Sequence, residues 1–237
     1  VINAEALHAL VMSNRVIPIR FADQRFIVDG CGVLFWPKHE LLIFSDLHFE
    51  KGSFLTQFAH PLPRFDTRET LKRMQGLIAE YMPKQVICLG DSFHDGNAHK
   101  RMQSDDIMAI NELIASVESW LWILGNHDPD IPQSLSGQRE KWLMLDQILF
   151  VHEPEDLPGY EACSGQVVGH FHPKTSYTLS NKTVTGKCFL IGDALLLMPA
   201  FGKYTGGLSS EHSVIKALFE KKKPQILLTY HTKLFML

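Results

Sequence analysis

Five short blocks of this chain carry side chains able to bind a metal, and each stands directly behind an apolar run. In order they are Asp46-Leu47-His48, Gly90-Asp91, Gly125-Asn126-His127-Asp128, His152 and Gly169-His170-Phe171-His172. Residues two apart at a strand end point to the same side, so Asp46 and His48 can reach a single ion while Leu47 turns into the core, and His170 and His172 share a side in the same way. Gly90 lets the backbone turn closely and present the Asp91 carboxylate. Taken singly, D-x-H is also a common surface pair, G-D a common turn, and a lone histidine a common structural residue. Five such blocks in order, each behind an apolar run, are not accounted for by chance. The 12 histidines of the chain point the same way, since imidazole is the commonest metal-ligand side chain.

The elements that position these blocks follow from hydrophobic periodicity. Residues 25–28, 32–36 and 40–45 read as short strands, the last ending at Asp46. Asp66 with Glu69 suggests a capping box, and Leu71, Met74, Ile78 and Tyr81 then recur at helical spacing up to Pro83. A buried strand over 86–89 ends at Gly90-Asp91, a helix starts near Asp105, and a strand over 120–124 ends at Gly125-Asn126. Strands alternating with helices imply right-handed crossovers and a largely parallel sheet, whose ligands gather at the carboxyl ends of the strands. Asp46, Asp91 and Asn126 stand at those ends. Beyond residue 140 short strands dominate, at 148–152, 166–170, 188–191, 194–198 and 225–230, which predicts a second, mainly antiparallel sheet packed on the first. Lys221 to Lys223 before Pro224 read as a solvated turn.

With 237 residues, 45% of them hydrophobic, the chain is long enough for one large core, and a single domain over 1–237 is expected. A formal charge of −3 supplies no global basic field for a nucleic acid, so such a partner has to be argued locally. Cys31, Cys88, Cys163 and Cys188 stand apart from one another, the pattern of a reduced intracellular protein. The apolar patch over 6–12 is too short for a signal or a membrane span. A cytoplasmic protein without membrane association is expected.

The five blocks resemble those of the calcineurin-like metallophosphoesterase superfamily, from about Leu41 to His172. The resemblance implies a four-layer α/β/β/α sandwich of two packed mixed sheets flanked by helices. It also implies that Asp46, His48, Asp91 and His172 bind one metal and that Asp91, Asn126, His152 and His170 bind the other. Three oxygen donors and four imidazoles with no thiolate suit two divalent ions, Mn, Fe or Zn, with Mn the first expectation. Two such ions about 3.5–4 Å apart clamp a phosphoryl oxygen and a bridging hydroxide whose pKa falls toward neutrality. By the same resemblance His127 faces the substrate, where it stabilises phosphorane-like charge or protonates the leaving oxygen. Asp128 either holds the His127 imidazole in one tautomer or caps a following helix.

Further segments are similar to the bacterial ligase-associated DNA damage response endonucleases: 45–52, 62–67, 90–95 and 197–202 with Thr205-Gly206-Gly207. That likeness runs from about Phe35 to Leu208 and implies DNA phosphodiesters as substrate, beside an ATP-dependent DNA ligase and a helicase. Lys51, Arg64, Arg68, Lys72 and Arg73 either grip phosphates beside the cleft or form a solvated helix face. The 201–207 loop either offers backbone N–H groups to a phosphate or makes a hairpin turn. His94 and Asp95 either line the pocket or sit on the surface; His94 and Arg64 are the candidate substrate-binding residues. Two further functions compete with the nuclease: a small-molecule or cyclic-nucleotide phosphodiesterase or phosphatase, and a non-catalytic scaffold of the same fold. The scaffold is disfavoured because all seven implied ligands and His127 are present.

Overall fold

The computed structural model describes residues 1–58, 65–155 and 163–237. The chain opens with α1 (Ala4–Met12), β1 (Val16–Phe21), β2 (Gln24–Asp29) and β3 (Val33–Trp36), then a single 3-10 turn before β4 (Leu41–Ser45). Next come α2 (Lys51–Phe58), α3 (Asp66–Tyr81), β5 (Gln85–Leu89), α4 (Ala98–Arg101), α5 (Ser104–Ala115) and β6 (Ser119–Ile123). β7 (Gln138–Glu140), β8 (Trp142–Leu145), β9 (Ile148–Val151), β10 (Gly165–Val168), β11 (Lys174–Leu179), β12 (Lys182–Ile191) and β13 (Leu195–Leu197) follow. The last elements are α6 (Ser213–Leu218), β14 (Gln225–Tyr230) and β15 (Lys233–Met236).

Two sheets result. The first runs β1 to β7 in sequence order; the second runs β15-β14-β12-β13-β10-β9-β8, with β11 paired to β12. The central strands β4, β5 and β6 are parallel, and their apolar runs are buried on both faces. One face, with Phe44, Val86, Cys88 and Trp122, packs on Leu71, Met74 and Ile78 of α3 and Ile110 and Ile114 of α5. The other, with Ile43, Ile87, Leu89 and Ile123, meets Ile148, Phe150, Val167 and Phe189 of the second sheet. Beyond that sheet, Leu149, Val168, Leu190 and Leu197 form an outer core with Ile215 of α6. The order helix, sheet, sheet, helix is the four-layer sandwich that the family resemblance implies.

Several local expectations change. The first sheet is parallel only from β4 to β7, because β1 to β4 form an antiparallel meander. The second is mainly antiparallel, yet β9, β10 and β13 within it are parallel. The apolar patch near the start is α1, capped by the Asn3 side chain. Six-residue α6 is too short to show a helical period. No capping box forms at α3: its N-cap is Phe65, and Asp66 accepts from the Gly52 N–H at 2.8 Å instead. The turn at Lys221 to Lys223 is exposed as expected. No helix among the described residues is long and apolar enough to cross a membrane.

A polar knot ties the start of the first sheet to α3. Asp29, wholly buried, accepts from the Tyr81 hydroxyl at 2.8 Å, the Cys31 N–H at 2.7 Å and the Arg15 guanidinium at 3.0 Å. Arg15 also donates to Glu80. Removing Asp29 strands the buried Tyr81 hydroxyl without its acceptor and leaves Arg15, 20% exposed, with Glu80 alone. Asp29→Ala should therefore cost about 3 kcal/mol of stability, read as a lower urea midpoint, while turnover per folded molecule stays unchanged. A loss too small to shift the midpoint would contradict the role given to this knot.

Candidate metal centre

Register places the first three blocks side by side. Ser45, Leu89 and Ile123 are aligned across β4, β5 and β6. Asp46, Asp91 and Asn126 therefore lie one, two and three residues past one line across the sheet. His152 follows β9 directly, and His170 and His172 follow its parallel neighbour β10. The two sets of parallel strands open their carboxyl ends onto a common rim.

The side chains fall into two groups. Asp46, His48 and His172 form one and Asp91, His152 and His170 the other, each compact enough to hold a metal ion. In the first, His48 Nε2 lies 3.1 Å from His172 Nε2, which lies 3.0 Å from Asp46 Oδ1. In the second, His152 Nε2 is 3.3 Å from Asp91 Oδ2, and Asn126 Oδ1 sits 3.0 Å from His152 Nε2 and 3.1 Å from His170 Nδ1. Asp91 Oδ2 also lies 3.9 Å from His48 Nε2, which puts it between the groups. Donors about 2.1 Å from one centre and at right angles to each other stand roughly 3 Å apart, the spacing seen here. Oxygen and imidazole donors at that spacing fit divalent first-row ions.

The backbone reaches this arrangement in an unexpected way. Asp46, His48, Asp91, His170 and His172 all have φ between 43° and 64°, the left-handed region. Strand alternation alone therefore does not aim these pairs; tight turns do, with Leu47 buried between two of them as expected. Gly90 is required for space as well as for its φ of 71°, since a Cβ there would lie 2.0 Å from His152 Nδ1. Hydrogen bonds from neighbouring segments hold the carboxylates. His170 N–H donates to Asp46, His127 N–H donates to Asp91 Oδ1 at 2.9 Å, and the Ser45 hydroxyl donates to Asp46 Oδ2. In the sequence Ser45 marks only a strand end and the start of the 45–52 segment; its hydrogen bond to its neighbour's carboxylate is announced by no spacing.

Protonation follows burial and charge. Burial opposes ionisation of Asp46 and Asp91, yet the hydrogen bonds and charges of the surrounding histidines hold both below the usual carboxylate range. Burial pushes the His48 imidazole down to about 3, so it is neutral and ready to ligate. His152 differs. Burial again works against its charged form, but the hydrogen bond to Asp91 and the charge of Asp46 bring it up to about 9.

The remaining candidates separate. His127 Nε2 lies 4.0 Å from Asp91 Oδ2 with its side chain 45% exposed, facing the opening. The His94 ring lies nearly parallel to it, 5.7 Å away at 16°, and also meets His48 and Phe54, which places His94 beside the first donor group. Burial, with Lys51 and His127 nearby, lowers His94 to about 4. Asp95 turns away to pair with Arg101. Asp128 fits neither expected role. Its carboxylate accepts from the Phe93 and Gly125 N–H groups, both at 3.0 Å, and the residues that follow it lead into β7 without a helix. It braces the loops after β5 and β6, and burial with Asp91 nearby raises it to about 7. Arg64 lies outside the described residues. Arg68 is bound to Asp106 and Gln103, Arg73 to backbone carbonyls, and Lys72 is exposed on α3. Of the described members of that basic cluster, Lys51 is the one within electrostatic reach of Asp91.

Below about 9, His152 must shed a proton before it can ligate. Divalent-ion affinity should climb about tenfold per pH unit up to that value and then level off. Titration calorimetry in buffers of different ionisation enthalpy would show the released proton; affinity that stays flat across neutral pH would contradict the assignment.

A family model for the Calcineurin-like phosphoesterase matches residues 39–182. No curated protein matches the chain. Among solved structures, Pseudomonas putida nuclease MPE aligns with a TM-score of 0.72 and 25% identity, over 94% of this chain and 100% of that one. The E. coli phosphoesterase Yfce aligns with a TM-score of 0.39 and 16% identity, over 71% of this chain and 83% of that one. The match spans more than half of the 237 residues and takes in all five blocks. The chain thus belongs to the calcineurin-like phosphoesterases and is a metal-dependent phosphoester hydrolase.

Proposed function

We propose that the chain is a phosphodiesterase acting on DNA, a nuclease of DNA repair that works on two divalent ions. The observation that carries this reading is Asp91 Oδ2, which stands between the two donor groups and 4.0 Å from the exposed His127 imidazole. In this reading Asp46, His48, Asp91 and His172 hold one ion, and Asp91, Asn126, His152 and His170 the other. When bound, the ions neutralise phosphate charge and supply an activated water.

The chain's own residues do the rest. Asp91 Oδ1 is occupied by the His127 N–H, which leaves Oδ2 free to face both groups and fixes the His127 backbone beside them. His127 Nε2 then reaches the ester oxygens, where it stabilises charge or gives a proton to the leaving oxygen. A neutral His94 ring stacked behind it holds its plane without adding charge. A cleft of about 340 Å³ continues from Asn126 and His152 past Lys141 and Pro154, with room for the chain flanking the scissile phosphate. Likeness to a nuclease over nearly the full length supports a polynucleotide substrate. The motif resemblance of residues 45–52 and 90–95 supports work beside an ATP-dependent DNA ligase and a helicase, the oxygen and imidazole donor set supports manganese as the ion, and the four separate cysteines support a cytoplasmic setting. The continuous core between the two sheets supports a single catalytic domain.

Manganese-loaded protein should cut single-stranded or damaged DNA. His127→Ala should lower turnover by about 10²–10⁴-fold, and Asp91→Asn should abolish it. Unaltered cleavage by Asp91→Asn would sink the two-ion reading. Turnover of aryl phosphodiesters or cyclic nucleotides, with DNA left whole under every ion tried, would move the substrate to small phosphodiesters.

A further inference from the structure

Residues 199–208, between β13 and α6, press on the backbone of both blocks that supply the first donor group. Phe201 N–H donates to Ser45 O at 2.7 Å and Gly202 N–H to Asp46 O at 3.1 Å. At the far end, Leu208 N–H donates to Phe171 O at 3.2 Å. The approach is close enough to need glycine at both ends. A Cβ on Gly202 would lie 2.0 Å from Leu47 O, and one on Gly207 would lie 2.1 Å from His172 O. The N–H groups of Phe201 and Gly202 therefore face Ser45 and Asp46 and are not offered to a substrate phosphate. Of the second group only His170 shares a turn with this contact; Asp91 and His152 are braced elsewhere, by the His127 N–H on Asp91 and the Gly169 N–H on the His152 carbonyl.

The carbonyls of the same segment face three cations. Lys187 Nζ of β12 donates to Ala200 O at 2.5 Å and Gly202 O at 2.9 Å. Arg73 of α3 donates to Phe201 O at 2.9 Å, with its guanidinium 4.0 Å over the Phe201 ring. Lys174 Nζ of β11 donates to Thr205 O at 3.1 Å. Successive carbonyls are thus taken alternately from the two sides of the molecule, the helix layer and the second sheet. Burial, with Arg73 and Lys174 near, pushes the Lys187 ammonium down to about 7, so its place there comes at an electrostatic cost.

We propose that residues 199–208 are a positioning element for the first ion, latched by Lys187 and Arg73, which sets the affinity of the Asp46–His48–His172 group more strongly than that of the Asp91–His152–His170 group, where it reaches only the turn that carries His170. Amides on one edge of the segment hold the carbonyls of Ser45, Asp46 and Phe171, beside the left-handed turns of Asp46 and His172; cations on the other edge keep the segment pressed down. Loosening the latch lets those turns relax, and the first ion loses its preformed donors.

This inference rests on the two-ion reading, so the experiment separates the two. Manganese binding is titrated calorimetrically on the full chain, in a His152→Ala background that keeps the first group and a His172→Ala background that keeps the second. Wild type binding fewer than two ions would defeat the two-ion reading and this inference with it. With two ions bound by wild type, Lys187→Met should weaken binding at least about tenfold in the first background and clearly less in the second. Lys187→Arg, which keeps donors for both carbonyls, should restore most of it. Equal loss in both backgrounds, no loss in either, or a loss that only tracks a lowered metal-free Tm would overturn the proposal. Should Lys187→Met fail to fold, Arg73→Lys, which keeps the charge but loses the fork and the ring contact, carries the same comparison.

Discussion

The rim of this molecule depends on five residues bent into left-handed backbone at the ends of parallel strands. Asp46, His48, Asp91, His170 and His172 have no glycine-like freedom, and such conformations cost roughly 1–3 kcal/mol each unless their surroundings enforce them. The surroundings do so from several directions. Beneath the first-sheet turns lie strands buried on both faces, so the points from which Asp46 and Asp91 depart are rigid. Above and beside the turns, amides from other segments take the carbonyls and carboxylates. The strain is local, and the hydrogen bonds that offset it come from distant parts of the sequence.

Electrostatics sets a second demand on the same few ångströms. Two buried carboxylates and four imidazoles converge, and proteins rarely gather such groups without a reason. The fold splits the burden. Desolvation keeps His48 and His94 neutral, while the carboxylates stay ionised through hydrogen bonds and neighbouring rings, and one proton collects on His152. Asp128, braced by two amides, keeps the loops after β5 and β6 in step without entering the donor groups.

What the sequence revealed and what it hid divide along a physical line. Asp46, Asp91, Asn126, His152, His170 and His172 were legible because each follows an apolar run that must be a strand, and strands of one sheet end together. The two packed sheets were legible for the same reason, since runs such as Leu41 to Phe44 suit a central strand, whereas the four-layer order came from the family resemblance. The means of aiming was not. Alternation along a strand is a local rule, whereas the left-handed turns exist only because other segments hold them. The capping box at Asp66 failed in the same way: a nearby amide, Gly52 N–H, won the carboxylate over the helix start. Asp128 looked like a partner for its neighbour and instead serves Phe93, far away in the chain. Arg73, read as either a phosphate grip or part of a solvated helix face, is committed to Phe201 and Cys31, pairings that no spacing announces.

The donors are divided between the sheets. Asp46, His48, Asp91 and Asn126 follow strands of the first, and His152, His170 and His172 follow strands of the second, so neither sheet holds a complete group and each group draws on both. Ions seated there would fasten two layers otherwise joined by the apolar seam between them, closing large loops of chain in the manner of covalent cross-links. The four cysteines, all unpaired, provide no such fastening. In topological terms the catalytic pair would also be the staples of the sandwich, placed at the one edge where its two layers have to stay in register for chemistry.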